Sequence, residues 1–134
     1  MKSLVKLTVA VALLVIGLCS CGGGSGSALM NITKKTVVSI NHEDYSSLQV
    51  TLYKDGTCHS EGVYRASGNK FSYDGDYTYR GATFHDVQHN WISIEVRSGS
   101  WIDIMKDGSV YGSLTGEKFE NLDSWKRGEV TSID

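Results

Sequence analysis

The run Trp91-Ile92-Ser93-Ile94-Glu95-Val96-Arg97 alternates strictly between aliphatic and other side chains, and no other feature of the chain limits its fold so tightly. Successive side chains of a strand point to opposite faces, so Ile92, Ile94 and Val96 share a buried side while Ser93, Glu95 and Arg97 face away. A slip of one residue would turn all three aliphatics out to water, which fixes the register. Leu48, Val50 and Leu52 repeat the pattern. Between such runs stand turn residues. Asp55-Gly56 and Asp107-Gly108 supply the positive φ that tight hairpins need, Ser98-Gly99-Ser100 closes another, and Asp74-Gly75 reads as a further reversal. Strands are expected over Thr36 to Asn41, Leu48 to Tyr53, Thr57 to Arg65, Lys70 to Tyr73, Asp76 to Arg80, Trp91 to Arg97, Trp101 to Met105 and Ser109 to Thr115. Polar connections fall at His42 to Ser47 and Gly81 to Asn90. Helical spacing shows only in Phe119, Leu122 and Trp125, within the last segment, Gly116 to Asp134. The expectation is an all-β fold, an antiparallel meander of roughly seven or eight short strands forming a small barrel or two-sheet sandwich, with one short helix or turn near the C-terminus. Local hairpins favour the barrel.

Ahead of the strands, Lys2 and Lys6 precede an apolar stretch, Leu7 to Leu18, of about a dozen residues, shorter than a bilayer-spanning helix and ordered like an export signal. It ends in Leu18-Cys19-Ser20-Cys21-Gly22. This junction resembles the lipobox of bacterial lipoproteins, with Leu18 three residues before Cys21 and the small Ser20 just before it. The resemblance implies cleavage ahead of Cys21, a diacylglycerol on its sulfur and a third acyl chain on its amine. Residues 1–20 are then a signal peptide, 21–33 a lipidated Cys and flexible Gly/Ser tether, 34–127 the β domain and 128–134 a polar tail. The expected location is the cell envelope. Gly22 is compatible with outer-membrane sorting, because the inner-membrane retention signal of enteric lipoproteins resembles an Asp at that place.

Of three Cys, Cys19 leaves with the leader and Cys21 is lipidated, so Cys58 stands alone and no disulfide staples the domain. A domain of about 105 residues buries a core without one. Cys58 reads as a small buried hydrophobe, since its neighbour His59 points to the other face of a strand and makes a poor base for it. Lys2 and Lys6 leave as well, so 13 Lys plus Arg become 11 against 15 Asp plus Glu, a net charge of −4. That balance points away from nucleic acid and anionic headgroups as partners.

Tyr53, Trp91 and Trp101 fall at the opposite parity from Leu52, Ile92 and Ile102, while Tyr77 and Tyr79 share a face. A contiguous surface of these five aromatics would bind a ligand through large contact area at little rotamer cost. The competing reading is that aromatics simply fill the core and pair across strands. His85, Asp86 and His89 lie in a connection without a third metal ligand at diagnostic spacing, so the stretch reads as a polar surface loop. Asp74, Asp76, Asp103 and Asp107 could furnish a carboxylate pair, but most sit where turns want Asp for backbone reasons. No nucleophile elbow, phosphate loop or dinucleotide fingerprint is present, which points away from an enzyme and from a cofactor.

Leu52-Tyr53-Lys54-Asp55-Gly56-Thr57, Gly62-Val63-Tyr64 and Asp76-Tyr77-Thr78-Tyr79 resemble the strand-turn-strand grammar of small lipocalin-like lipoproteins of Bacteroidota. The expected function is that of a lipid-anchored extracytoplasmic β module that binds a glycan, small ligand or protein without catalysis. An envelope-protective inhibitor or immunity-type protein, working through Gly81 to Asn90, is the second reading, and a small hydrolase the third.

Overall fold

The computed structural model describes residues 26–134, so the leader and Cys21 lie outside the described residues. Eight antiparallel strands close into one barrel in sequence order. They are β1 (Thr36–His42), β2 (Tyr45–Leu52), β3 (Thr57–Tyr64), β4 (Lys70–Phe84), β5 (Val87–Arg97), β6 (Ser100–Met105), β7 (Ser109–Tyr111) and β8 (Lys126–Ile133). Two short helices, α1 (Gly116–Glu120) and α2 (Leu122–Trp125), join β7 to β8, and a 3-10 turn, Ser27–Met30, precedes β1. The fold is therefore the all-β meander, and it is the barrel, because β8 pairs with β1 as well as β7.

Alternation fills the interior. Val38, Val50, Leu52, Ile92, Ile94, Ile104 and Val110 point inward with no exposed area, and Cys58 packs among them at 2 % exposure. An eight-stranded barrel is just wide enough for side chains to occupy its centre. Burial pushes the Cys58 thiol up to about 11, and its Sγ donates to the Glu95 carbonyl oxygen at 3.6 Å.

Four stretches differ from the sequence expectation. Asp74-Gly75 is no reversal: β4 is a single strand of 15 residues, its first half paired with β3 and its second with β5. Gly75 serves close approach, since a Cβ there would come within 2.8 Å of the Glu95 carbonyl oxygen. Gly81 to Asn90 is no loop but the far part of the β4–β5 hairpin, closed by His85 at φ 50° and Asp86 at φ 62°. His and Asp tolerate the left-handed region better than most side chains, and a two-residue hairpin turn wants positive φ at both positions. The polar link His42 to Ser47 shrinks to a turn at Glu43-Asp44, where the Asp44 N–H donates to His42 Nδ1 at 3.0 Å. Residues 128–134 are not a loose tail but most of the closing strand, with Val130 facing in at 3 % exposure.

The tether range 21–33 also overlaps structure. The Gly26 N–H donates to the Lys106 carbonyl at 2.8 Å, and Leu29 is fully buried at one end of the barrel, with Met30 and Ile32 packed against the core. Residues 26–32 thus act as a plug.

Outside the wall, the segment between β7 and β8 forms a cap. Leu114, Phe119 and Leu122 pack on Trp91, Tyr111 and Met105, with Ala82 and Phe84 of the long hairpin. Asp103, 3 % exposed, fastens it: the carboxylate accepts from Ser93 Oγ at 2.5 Å and from the Leu114 N–H at 2.8 Å. Burial raises its pKa above the ordinary 3.8, against the opposing pull of these hydrogen bonds and of Arg80 and Lys118. The folded chain therefore holds this proton more tightly than the unfolded one. The resulting stability is complete below 3.8 and is lost as pH rises through the raised value. Thermal unfolding of the wild type and Asp103→Asn, whose side chain does not titrate, should show the wild type gaining on the variant as pH falls from neutral towards 4. A difference that stays constant with pH would refute this account.

Candidate functional site

The five aromatics do not form one surface. Tyr77 is a core residue at 9 % exposure, its hydroxyl donating to the Tyr53 carbonyl at 2.6 Å, and Tyr53 itself stands at the β2–β3 turn, 38 % exposed. Tyr79 lies 6.0 Å from Tyr77, edge-on, and its hydroxyl donates to the Leu29 carbonyl at 2.9 Å. Trp91 and Trp101 do take the outer parity, but the cap covers Trp91 to 5 % exposure, with Phe119 at 5.5 Å, and leaves Trp101 half-buried on β6. The continuous aromatic face is thus corrected. Tyr77 turns inward, Tyr79 stays 46 % exposed with only its hydroxyl tied to the plug, and a segment with little sequence signal hides Trp91.

Two of the five remain together. Tyr79 and Trp91 line a pocket of about 480 Å³ with Met30, Arg80, Asn90 and Lys106, where β5 runs past the end of β6 beside the plug. No carboxylate contributes to its wall. Among the described residues neither Arg80 nor Lys106 makes an ion pair, and both side chains are exposed. Asn90 Oδ1 accepts from Gln88 Nε2 at 3.2 Å, which leaves its amide nitrogen to donate. The buried Trp91 Nε1–H has no partner. The β4–β5 and β5–β6 pairings set Arg80 beside Trp91 and Trp91 beside Met105, next to Lys106, and the N-terminal plug adds Met30, so no single local motif announces the group.

A second constellation occupies the outer face of β3 and β4. His59 Nδ1 lies 2.7 Å from Asp74 Oδ1, and His59 Nε2 lies 3.2 Å from Ser72 Oγ and 3.4 Å from Glu61 Oε2. The register makes it, because His59 sits opposite Asp74 and Glu61 opposite Ser72. Carboxylate, imidazole and hydroxyl are in the order of a hydrolytic relay. Two facts oppose that chemistry. Glu61 competes with Ser72 for the same ring nitrogen, and the Asp74 and Glu61 side chains are 86 % and 61 % exposed, so water surrounds the group instead of being excluded. The arrangement can order a polar sheet surface.

His85 and His89 separate. His85 Nε2 stands 3.8 Å from Glu120 Oε1, while His89 stacks on Phe119 at 4.5 Å. Among the described residues no group of three or more His, Cys, Asp or Glu is placed to hold a metal ion. Comparison with family models, with curated proteins and with solved structures finds no match to this chain.

Proposed function

We propose that the chain is a lipid-anchored extracytoplasmic barrel that binds a ligand without transforming it, held in the cell envelope through an acylated Cys21 and sorted to the outer membrane. The carrying observation is the short distance, in sequence, from the lipobox-like run to the plug: only Gly22 to Ser25 separate Cys21 from Gly26, which is fastened to the Lys106 carbonyl. A span of that length reaches at most roughly 15–20 Å. The plugged end and its pocket then lie close to the membrane surface. Binding is favoured over catalysis because the pocket offers unpaired donors and an aromatic wall, whereas the His59 group stands open to water. Tyr79 and Trp91 are the ligand-contact residues retained from the five aromatics, joined by Arg80, Asn90 and Lys106. The ligand is a glycan, a small molecule or a protein.

Intact-mass measurement of the chain isolated from membranes tests the anchor. A polypeptide starting at Cys21 with two or three acyl chains is expected; an unmodified amino terminus, or an uncleaved leader, would overturn it. One observation favours the inhibitor reading: β5 residues Val87 to Asn90 project beyond β6, and Val87 at the tip is 54 % exposed. A stoichiometric protein partner lost on Val87→Asp would select that reading.

A further inference from the structure

We infer that the pocket between Met30, Tyr79, Arg80, Asn90, Trp91 and Lys106 is a phosphate-binding site. The inference deepens the binding role proposed above and rests on it, but it does not depend on the anchor. Its charged side chains are both cations, the planar guanidinium of Arg80 and the ammonium of Lys106, and the amide nitrogen of Asn90 adds a neutral donor while its Oδ1 already accepts from Gln88 Nε2. The Tyr79 hydroxyl is committed, donating to the Leu29 carbonyl and accepting from the Ile32 N–H at 3.3 Å, so its ring serves as a wall. Trp91, whose buried indole N–H has no hydrogen-bond partner, contributes to the same wall.

Neighbouring carboxylates are engaged elsewhere. Asp107 accepts from the Ser109 N–H at 2.9 Å, and Asp103 is held under the cap by Ser93 and Leu114. Arg80 influences Asp103 through space without pairing with it. Two unneutralised cations beside several donors call for an anion with more than one charge-bearing oxygen. A phosphate group presents three or four such oxygens around a tetrahedral centre, and Arg suits its fork-like recognition. A carboxylate presents two in one plane and would leave donors unmet.

The net charge, −2 for the whole sequence and −4 once Lys2 and Lys6 leave with residues 1–20, does not decide against this. Charges more than about 8 Å away are largely screened at physiological salt, so an arriving anion meets Arg80 and Lys106 before it meets the average of the chain. The phosphate has two sources: a phospholipid headgroup, close at hand if the plugged end lies near a bilayer, or a free phosphomonoester.

The test uses the full mature chain purified in non-ionic detergent and titrated calorimetrically with inorganic phosphate, glycerol 3-phosphate, short-chain phosphatidylglycerol and, as a carboxylate control, glucuronate. Saturable binding of phosphate-bearing probes at millimolar concentration or below is expected. Arg80→Gln and Lys106→Gln should each weaken it by about tenfold, and the double variant should abolish it, while thermal unfolding stays unchanged because both side chains are exposed. Tighter binding of phosphatidylglycerol than of glycerol 3-phosphate assigns the site to lipid, and the reverse order to a soluble ester. No saturation with any phosphate probe, equal binding of glucuronate, or full binding by the double variant would overturn the inference. An unmodified Cys21 would remove the anchor and leave these titrations as they stand, so the two failures are distinguishable.

Discussion

Gly128→Ala is expected to lower the stability of the barrel by at least ~2 kcal/mol, the scale of overpacking in a closed structure. Gly128 pairs with His42 of β1 and with Val110 of β7, at the point where the last strand enters the ladder. A Cβ there would sit on the Asn41 carbonyl oxygen and within 2.9 Å of His42 Cα. These are backbone atoms, which cannot rotate aside as a side chain can. The clash must separate β8 from β1, across the pairs that alone close the barrel, including the Glu43 N–H to Arg127 carbonyl bond at 2.9 Å. Opening the barrel would also create two unpaired strand edges. Gly112→Ala is the control: nothing lies within 4 Å of a Cβ at that position, so its effect should be within about 0.5 kcal/mol. For a domain of this size the first variant should melt lower by roughly 10 °C. Equal melting temperatures for the two variants would show that the seam is not tight.

The parts of the fold that could be read in advance are those where burial and turn chemistry speak together. Ile92, Ile94 and Val96 alternate against polar neighbours, and Gly56 and Gly108 take the positive φ of 94° and 91° that their Asp-Gly sequences imply. Where only one signal is present the reading fails. Asp74-Gly75 carries turn chemistry, but the glycine is there to let β4 pass the Glu95 carbonyl. His85-Asp86 carries none of the glycine that marks a hairpin, yet it makes the turn. β8 presents Val130 and Ile133 among polar residues, too little apolar content to signal a strand whose contribution is backbone pairing on both sides.

The same cause governs the sites. Parity correctly sends Trp91 and Trp101 to the outside of the wall, but parity says nothing of a cap, and Leu114 and Phe119 reach Trp91 from a segment with only a short helical signal. His59, Asp74 and Ser72 meet because β3 and β4 are in a register that a turn at Asp74-Gly75 would forbid. Arg80 and Lys106 share a pocket because Arg80 pairs with Trp91 and Trp91 with Met105, a register set by two hairpins in succession. Distances across a barrel are consequences of every turn before them, so one misplaced reversal conceals a whole cross-strand cluster.

Leu29→Ala separates a plug from a tether. A flexible tether through residue 33 would make the substitution silent. The structure buries Leu29 completely, inside the cluster that includes Val38, Val50 and Ile104, and ties its carbonyl to Tyr79. Truncating a fully buried leucine costs about 2–5 kcal/mol, the transfer of its methyls plus the cavity left behind. The variant should therefore melt roughly 10–20 °C lower, whereas Ser27→Ala, at an exposed position of the same 3-10 turn, should change little. Amide exchange gives a second readout. The Gly26 N–H, bonded to the Lys106 carbonyl, should be protected in the wild type and lose protection in Leu29→Ala before the β1–β2 ladder does, because the plug can leave while the barrel remains closed. Rapid exchange at Gly26 in the wild type, together with an unshifted melting point for Leu29→Ala, would show that residues 26–32 do not plug the barrel.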